Sequence, residues 1–497
     1  MIKNHIPKSW ESICLGNITH ITYGKGLPTK HLLSSGFPVF GANGIIGFYD
    51  RYLYEDSQLL ISCRGASSGE INFSPPKCFV TNNSLIVDFP FQAKILRKTF
   101  YYFLQAVKKD RLVTGSAQPQ VTINNAIELK LNLPPLNEQK RIVAKIEELF
   151  SELDNGITAL KTAREQLKVY RQAVLKHAFE GKLTAKWREK NADKLESPEQ
   201  LLARIQQERE ACYQEQLEDW MAAVKEWEAN GKEGKKPGKP KTFSKIDLLS
   251  NSELMDLPEL PDGYIYIALL NLGDLSRGKS KHRPRNDPRL FGGKYPFIQT
   301  AEVKSANRII NKYHQTYSDF GLAQSKLWPS GTLCITIAAN IAETSFLGFD
   351  CCFPDSIVGF TAYKSVIPEY VELFIKAVRV NIEAYAPATA QKNINLVTLE
   401  NLVVPYCSID EQKKIINEVE AIFSVIDNNE KEIESALTKA ATLRQSILKK
   451  AFSGQLVPQD PSDEPASELL ARIQAEKEFV NTQKTKKTNK KQSVSGH

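Results

Sequence analysis

The chain contains one stretch twice, and this duplication limits every fold it can adopt. Asn137–Leu183 opens NEQKRIVAKIEELFSELD and closes RQAVLKHAFEGKL, while Asp410–Leu456 opens DEQKKIINEVEAIFSVID and closes RQSILKKAFSGQL. The offset is 273 residues throughout, so Glu138 falls on Glu411, Phe150 on Phe423, Arg171 on Arg444 and Gly181 on Gly454. Of the 17 positions from Glu138 to Asp154, 8 are identical in the second copy, as are 8 of the 13 from Arg171 to Leu183. A further block, LLARIQ, stands at 201–206 and again at 469–474, offset by 268.

Each copy is patterned as a heptad. In the first, Ile146, Leu153, Leu160, Leu167 and Val174 recur every seven residues, with Leu149, Gly156, Ala163 and Tyr170 between them. The second copy gives Val419, Ile426, Ile433, Ala440 and Ile447, with Ile422, Asn429, Ala436 and Leu443 between. Some 40 residues of helix at about 1.5 Å each make a rod of roughly 60 Å. A narrow apolar stripe on so long a helix needs a partner, and the other copy carries the matching stripe. The pattern predicts an antiparallel pair packing the Ile146, Leu153, Leu160, Leu167 and Val174 stripe against Val419, Ile426, Ile433 and Ile447. Asn137 and Asp410 are the expected N-caps, with Glu138 and Glu411 in first turns where the helix dipole favours acids. Gly181 and Gly454 are the expected stops.

At 497 residues, 42% hydrophobic and 25% charged, the chain has material for several well-buried domains. It shows no run of 18 apolar residues and no apolar core for a signal peptide at its start, so a cytoplasmic location is expected. The eight cysteines form no CxxC pair, which predicts reduced structural thiols. A net charge of +8 suits a nucleic-acid partner but is too mild to require one.

Taken in order, residues 1–136 form a mixed α/β domain, with PheProValPhe at 37–40 and LeuLeuIleSer at 59–62 as strands and 100–107 as a helix. The first long helix occupies 137–183, and an accessory helical region with Trp220 and Trp227 occupies 184–230. A flexible basic linker covers 231–258, a second mixed domain 259–409, and the second long helix 410–456. A short helix and a disordered basic tail fill 457–497. The second domain echoes the first. LeuProAspGlyTyr at 260–264 answers IleProLysSerTrp at 6–10, and Gly278–Lys279 answers Gly24–Lys25. TyrProPheIle at 295–298 answers PheProValPhe, AspSerIleVal at 355–358 answers AsnSerLeuIle at 83–86, and Ala390–Gln391 answers Ala117–Gln118. The repeat unit is therefore domain plus helix, an α+β fold with two mixed domains separated by two long antiparallel helices and an internal pseudo-two-fold repeat.

No catalytic constellation is present in the sequence. There is no GxxxxGK[ST] loop, no FxGxG with a downstream [ND]PP[YF], and no HExxH or HxH cluster. GluGlnLys at 138–140 and 411–413 matches half of a nuclease motif, but at the first turn of a helix it reads as a helix start. The domains do offer groups that read DNA, where Arg or Lys suits guanine and Asn or Gln suits adenine. In the first domain these are Lys25, Lys30, Arg51, Arg64, Gln118, Gln120 and Asn124. In the second they are Arg277, Lys279, Lys281, Arg283, Arg285, Gln391, Lys392 and Asn393, and the stretch 276–285 is the densest basic loop of any folded part.

Two divergent domains alternating with two similar helices, carried by PPLNEQKRIVAKIEELF with RQAVLKHAFEGKL and by SIDEQKKIINEVEAIF with RQSILKKAFSGQL, resemble the specificity subunits of type I restriction-modification enzymes. The resemblance covers nearly the whole chain. It implies a non-catalytic subunit whose two target recognition domains each read one half of a bipartite, asymmetric site in double-stranded DNA. It further implies helices that set the gap and dock modification (methyltransferase) subunits, two of them, alongside restriction subunits. This chain would bind no cofactor itself, S-adenosylmethionine, ATP and Mg belonging to the other subunits. The competing reading is a coiled-coil adaptor whose domains bind protein and not specific DNA. The accessory helix at 198–229 has no role that the resemblance explains.

Overall fold

A computed structural model describes residues 6–492 apart from 90–93, 116–117, 235, 241–244, 247–248, 250–253, 256, 339 and 385–393. From the start the elements are β1 Glu11–Cys14, α1 Leu15–Ile18, β2 His20–Tyr23, β3 Phe37–Phe40, β4 Ile45–Tyr49, β5 Leu59–Ser62, β6 Ile71–Phe73, β7 Phe79–Val80 and β8 Ser84–Asp88. There follow α2 Lys94–Ala106, α3 Ile123–Ile127, β9 Lys130–Leu133, the long α4 Leu136–Phe179, α5 Ala185–Lys190 and α6 Pro198–Ala229. The second half opens with β10 Tyr264–Ala268, β11 Gly273–Arg277, β12 Phe291–Phe297, α7 Thr300–Ser305, β13 Ile309–Ile310, β14 Gln315–Tyr317 and α8 Asp319–Ala323. It continues with β15 Leu333–Thr336, β16 Thr344–Leu347, β17 Ile357–Ala362, α9 Pro368–Ala384, α10 Leu396–Glu400, β18 Val403–Cys407, the long α11 Ile409–Ala451 and α12 Ala466–Gln492.

The chain divides into two compact units, one of residues 1–162 with 432–497 and one of residues 163–431. Unit 1 therefore holds the start of α4 beside the end of α11, and unit 2 holds the end of α4 beside the start of α11, which makes the pairing antiparallel in each. Both units are built alike. In unit 1 a sheet runs β2-β8-β5-β6, and in unit 2 the same order recurs as β11-β17-β15-β16 with β13 added at the edge. Each unit also pairs its first and last strands, β1 with β9 and β10 with β18.

The heptad stripe is buried unevenly. Val419, Ile426, Ile433, Ala440 and Ile447 are all buried, as are Ile146 and Val174. Leu153, Leu160 and Leu167 are only half-buried, and Tyr170 and Leu443 between the stripes are exposed. Two helices form one seam, and where the intervening residues are as small as Gly156 or as polar as Asn429 nothing closes its flank. Unit 1 consequently carries an open apolar groove of about 840 Å³ along Leu149, Leu153, Ile157, Leu160, Ala440 and Leu443.

Reciprocal contacts hold the helices together. In unit 2 Arg171 pairs with Asp427 at 2.5 Å and lies over the Phe423 ring at 4.6 Å. In unit 1 Arg444 pairs with Asp154 and lies over Phe150 at 4.4 Å. These six residues are the same three positions of the repeat used in both directions, a physical reason for their identity in the two copies. Each domain then seats an aromatic helix on its own end of the pair: Phe103 of α2 meets Phe452 at 5.3 Å, and Tyr370 of α9 meets Phe179 at 5.1 Å. Full burial of a side chain of this size stabilises by about 1.5–3 kcal/mol.

The helix starts differ from expectation. Asn137 and Asp410 lie inside the first turns, because α4 begins at Leu136 and α11 at Ile409. Their carboxamide and carboxylate reach forward to Lys140 at 3.3 Å and Lys413 at 3.1 Å, and Ser408 accepts from the Glu411 N–H instead. Glu138 and Glu411 do stand in the first turns as expected, but buried, at 1% and 0% exposed. Glu138 accepts from Trp10 Nε1 at 2.8 Å and from the Gln459 amide. Glu411 Oε1 accepts from the Tyr264 hydroxyl at 2.7 Å, Thr184 at 2.6 Å and Arg188 at 2.6 Å. Pro7 packs beside Gly454 and Pro261 beside Gly181, both glycines at positive φ. The faint echo between residues 6–10 and 260–264 is thus one latch built twice.

The LLARIQ blocks dock the same way. Leu201 and Ile205 are buried in the unit 2 core, and Leu469 and Ile473 in the unit 1 core. Glu208 accepts from Ser365, and beyond it α6 has no buried hydrophobic residue. Trp220 and Trp227 there donate to the carbonyls of Pro237 and Gly234, so this part of the basic stretch expected as a flexible linker lies back along the helix. The lysine-rich end expected to be disordered continues α12 to Gln492; it has no Gly or Pro to break a helix.

Candidate nucleic-acid interface

The shared sheet ends in a step that glycine imposes. In unit 1 β2 finishes with Tyr23 opposite Leu85, and Gly24 donates to Ser84 O at 3.0 Å. A Cβ on Gly24 would lie 2.2 Å from Thr81 O. In unit 2 β11 finishes with Arg277 opposite Val358, and Gly278 donates to Ile357 O at 2.9 Å. A Cβ there would lie 2.3 Å from Pro354 O. Lys25 and Lys279 follow, both exposed, at the same place in the two frames. The strand registers set Leu85 against Val358, an offset of 273. The sequence echo of 355–358 with 83–86 is therefore shifted by one residue, and Asp355 answers Asn82, not Asn83. Alternating strand faces make such a slip consequential.

The central strands leave at this same end. Cys63 donates to Asn83 O at 2.9 Å and Ile337 to Ser356 O at 3.0 Å; Val121 then donates to Cys63 O and Ile394 to Ile337 O. Arg64 consequently sits beside Gln120, with which it forms a β-bridge, and Gln118 lies in the turn before it. Asn124 is exposed in the first turn of α3, capped by Thr122. Lys25, Arg64, Gln118, Gln120 and Asn124 thus belong to segments that converge on one sheet end. Lys30 and Arg51 do not: they flank the far end of the β3–β4 hairpin, and Arg51 is engaged with Asp50 at 3.3 Å.

The near end of that hairpin was missed by composition. Its tip is held by Ser84 Oγ on Gly41 O at 2.8 Å and by Ser62 on Ala42 O. It presents Asn43 with Ile45 and Ile46, which are 56% and 47% exposed. Asn43–Gly44 between two strands is a hairpin signal readable in the sequence.

In unit 2 the basic loop is ordered by its own acids. Arg277 donates Nε and Nη2 to the Asp355 carbonyl at 2.9 and 2.7 Å, and Arg285 Nη2 meets both Asp355 carboxylate oxygens at 3.0 Å. Arg283 turns back to the Ser280 and His282 carbonyls. Asp287 receives Arg289 and His282, each at 2.7 Å, and these hydrogen bonds, that of Arg289 foremost, hold its carboxyl well below the ordinary range. Lys279 and Lys281 are exposed, and their ammonium groups have no partner among the described residues. Gln391, Lys392 and Asn393 lie outside the described residues. No group of three or more His, Cys, Asp or Glu among the described residues could hold a metal ion. No described helix is long and apolar enough to cross a membrane.

Two sheet ends of one design, the first edged with cations and amides and the second, among the described residues, with cations, each mounted on paired helices, define a DNA-specificity architecture. The chain belongs to the type I restriction modification DNA specificity domain family, whose profile matches residues 7–163 and 268–439. It is similar to the type I restriction enzyme EcoBI specificity subunit of Escherichia coli, 24% identical over 508 residues, covering 95% of this chain and 93% of that one. It is also similar to the type I restriction enzyme EcoKI specificity subunit of Escherichia coli strain K12, 21% identical over 523 residues, covering 96% and 97%. A solved structure described as the structural basis underlying complex assembly and conformational transition of the type I R-M system shares the fold. Its TM-score is 0.59 at 17% identity, over 91% of this chain and 99% of that one.

Proposed function

We propose that this chain is the DNA-reading, non-catalytic specificity subunit of a type I restriction-modification enzyme acting in the cytoplasm. Each domain reads one half of a bipartite site in double-stranded DNA with the sheet end just described. The observation that carries this reading is the twice-built Gly–Lys step, Gly24–Lys25 and Gly278–Lys279, set among side chains that differ between the domains. A common frame with divergent edges is what two independent readers on one scaffold require, since phosphate contacts position and base contacts specify. The long helices set the gap and dock the modification subunits, for which the open groove along Leu153, Leu160 and Leu443 offers apolar surface; restriction subunits complete the enzyme. S-adenosylmethionine, ATP and Mg are then used by those other subunits.

The test is a methylome. With its modification subunit the chain should direct methylation at one bipartite site, and by itself it should methylate nothing. Replacing residues 1–136 with the corresponding domain of a relative should change one half-site and leave the other half and the gap intact. Methylation by the chain alone, or a swap that alters both halves, overturns the reading. Inserting one heptad between Ala436 and Leu443 lengthens α11 by about 10 Å and should widen the gap or abolish recognition.

A further inference from the structure

A guanidinium that reads guanine must present two parallel N–H donors to N7 and O6, and it must be held still while doing so. Arg277 meets both conditions. Its Nε–Nη2 edge is closed on the Asp355 carbonyl, at 2.9 and 2.7 Å. The remaining edge, Nη1 with the second hydrogen of Nη2, has no partner among the described residues, and the side chain is exposed. The support is itself supported: Arg285 grips both carboxylate oxygens of Asp355, and Gly278 brings its strand against Pro354 O, one residue before. Arg277 is the last residue of β11 before the Gly278–Lys279 step, so it stands at the sheet end, with the uncommitted Lys279 ammonium two positions on for a phosphate. In the first domain Tyr23 and Asn82 occupy the positions of Arg277 and Asp355, and no such fork exists at that site.

We propose that Arg277 reads a guanine in the half-site of the second domain, with Asp355 and Arg285 as its positioning residues. This rests on the specificity-subunit reading above. The experiment uses the full chain with its modification subunit and duplexes in which each guanine of the second half-site is replaced in turn by 7-deazaguanine, which lacks the N7 acceptor. Wild-type protein should lose affinity at one guanine, by about 5- to 150-fold if the whole bidentate pair is lost. R277A should no longer distinguish guanine from 7-deazaguanine there, its methylome should become degenerate at that one base, and the first half-site should stay unchanged. R285A should narrow the same ratio without changing which base is read. A second half-site without guanine, a wild-type protein indifferent to every 7-deazaguanine in it, or an R277A protein that keeps the full discrimination overturns the proposal. Should R277A not fold, R277K, which keeps the charge and lacks the two-donor fork, takes its place and should lose the same discrimination. A wild-type complex that methylates no bipartite site would instead overturn the specificity reading itself.

Discussion

The two latches show what duplication preserved and what it let go. Both place a buried glutamate at the head of a long helix and both tie it to an aromatic donor, Trp10 for Glu138 and Tyr264 for Glu411. The further partner differs. Glu138 has the neutral amide of Gln459, whereas Glu411 has the Arg188 guanidinium, whose side chain is 11% exposed. The sheet ends divide in the same manner, with a common Gly–Lys step and Tyr23 with Asn82 on one side against Arg277 with Asp355 on the other. Backbone geometry is shared between the units, and the charge installed on it is not.

That contrast can be broken first at the latches. E411A strands a buried cation and should cost about 3–5 kcal/mol, read as faster hydrogen exchange confined to residues 163–431. E138A strands only neutral donors and should cost about 1–3 kcal/mol; equal losses would mean that the charge of Arg188 is irrelevant. The shared frame is tested by G24A and G278A. Each forces a Cβ into a carbonyl, and each should cost a similar amount, about 1–3 kcal/mol by overpacking, in urea melts of its own unit. Markedly unequal costs would show that the two steps are not equivalent. Smallest should be R171A and R444A, exposed ion pairs with a cation–π contact, at about 0.2–1 kcal/mol each.

Acidity separates the latches in another way. Burial, the largest influence, raises the Glu138 carboxyl above its ordinary value, against the hydrogen bonds from Trp10 and Gln459. The folded state then holds that proton more tightly than the unfolded chain, so the contribution of this group is greatest below the unfolded value and falls as pH rises through the folded one. Thermal melts from about pH 4 upward should show this decline in wild-type protein and a flatter profile in E138Q. An identical profile in the two proteins would remove Glu138 as its source.

By itself the sequence determined the duplication, the two long helices, their antiparallel pairing and the alternation of domain with helix. These are legible because heptad spacing and identity at a constant offset are properties of the chain taken locally. It also marked the paired echoes at Pro7 and Pro261 and at Gly24 and Gly278, though not their meaning. Only the tertiary structure made the first a latch and the second a sheet end, since each depends on residues distant in sequence: Glu138 on Trp10 and Gln459, Gly278 on Pro354. It alone separated Lys30 and Arg51 from Lys25 and Arg64, left Leu153 and Leu160 half-covered, and moved the answer to Asp355 from Asn83 to Asn82. Strand register is decided by pairing across the sheet, and a shift of one residue turns each side chain to the opposite face. Composition could count the basic residues of the 276–285 loop, but which guanidinium keeps a free edge is decided by where the Asp355 carbonyl falls.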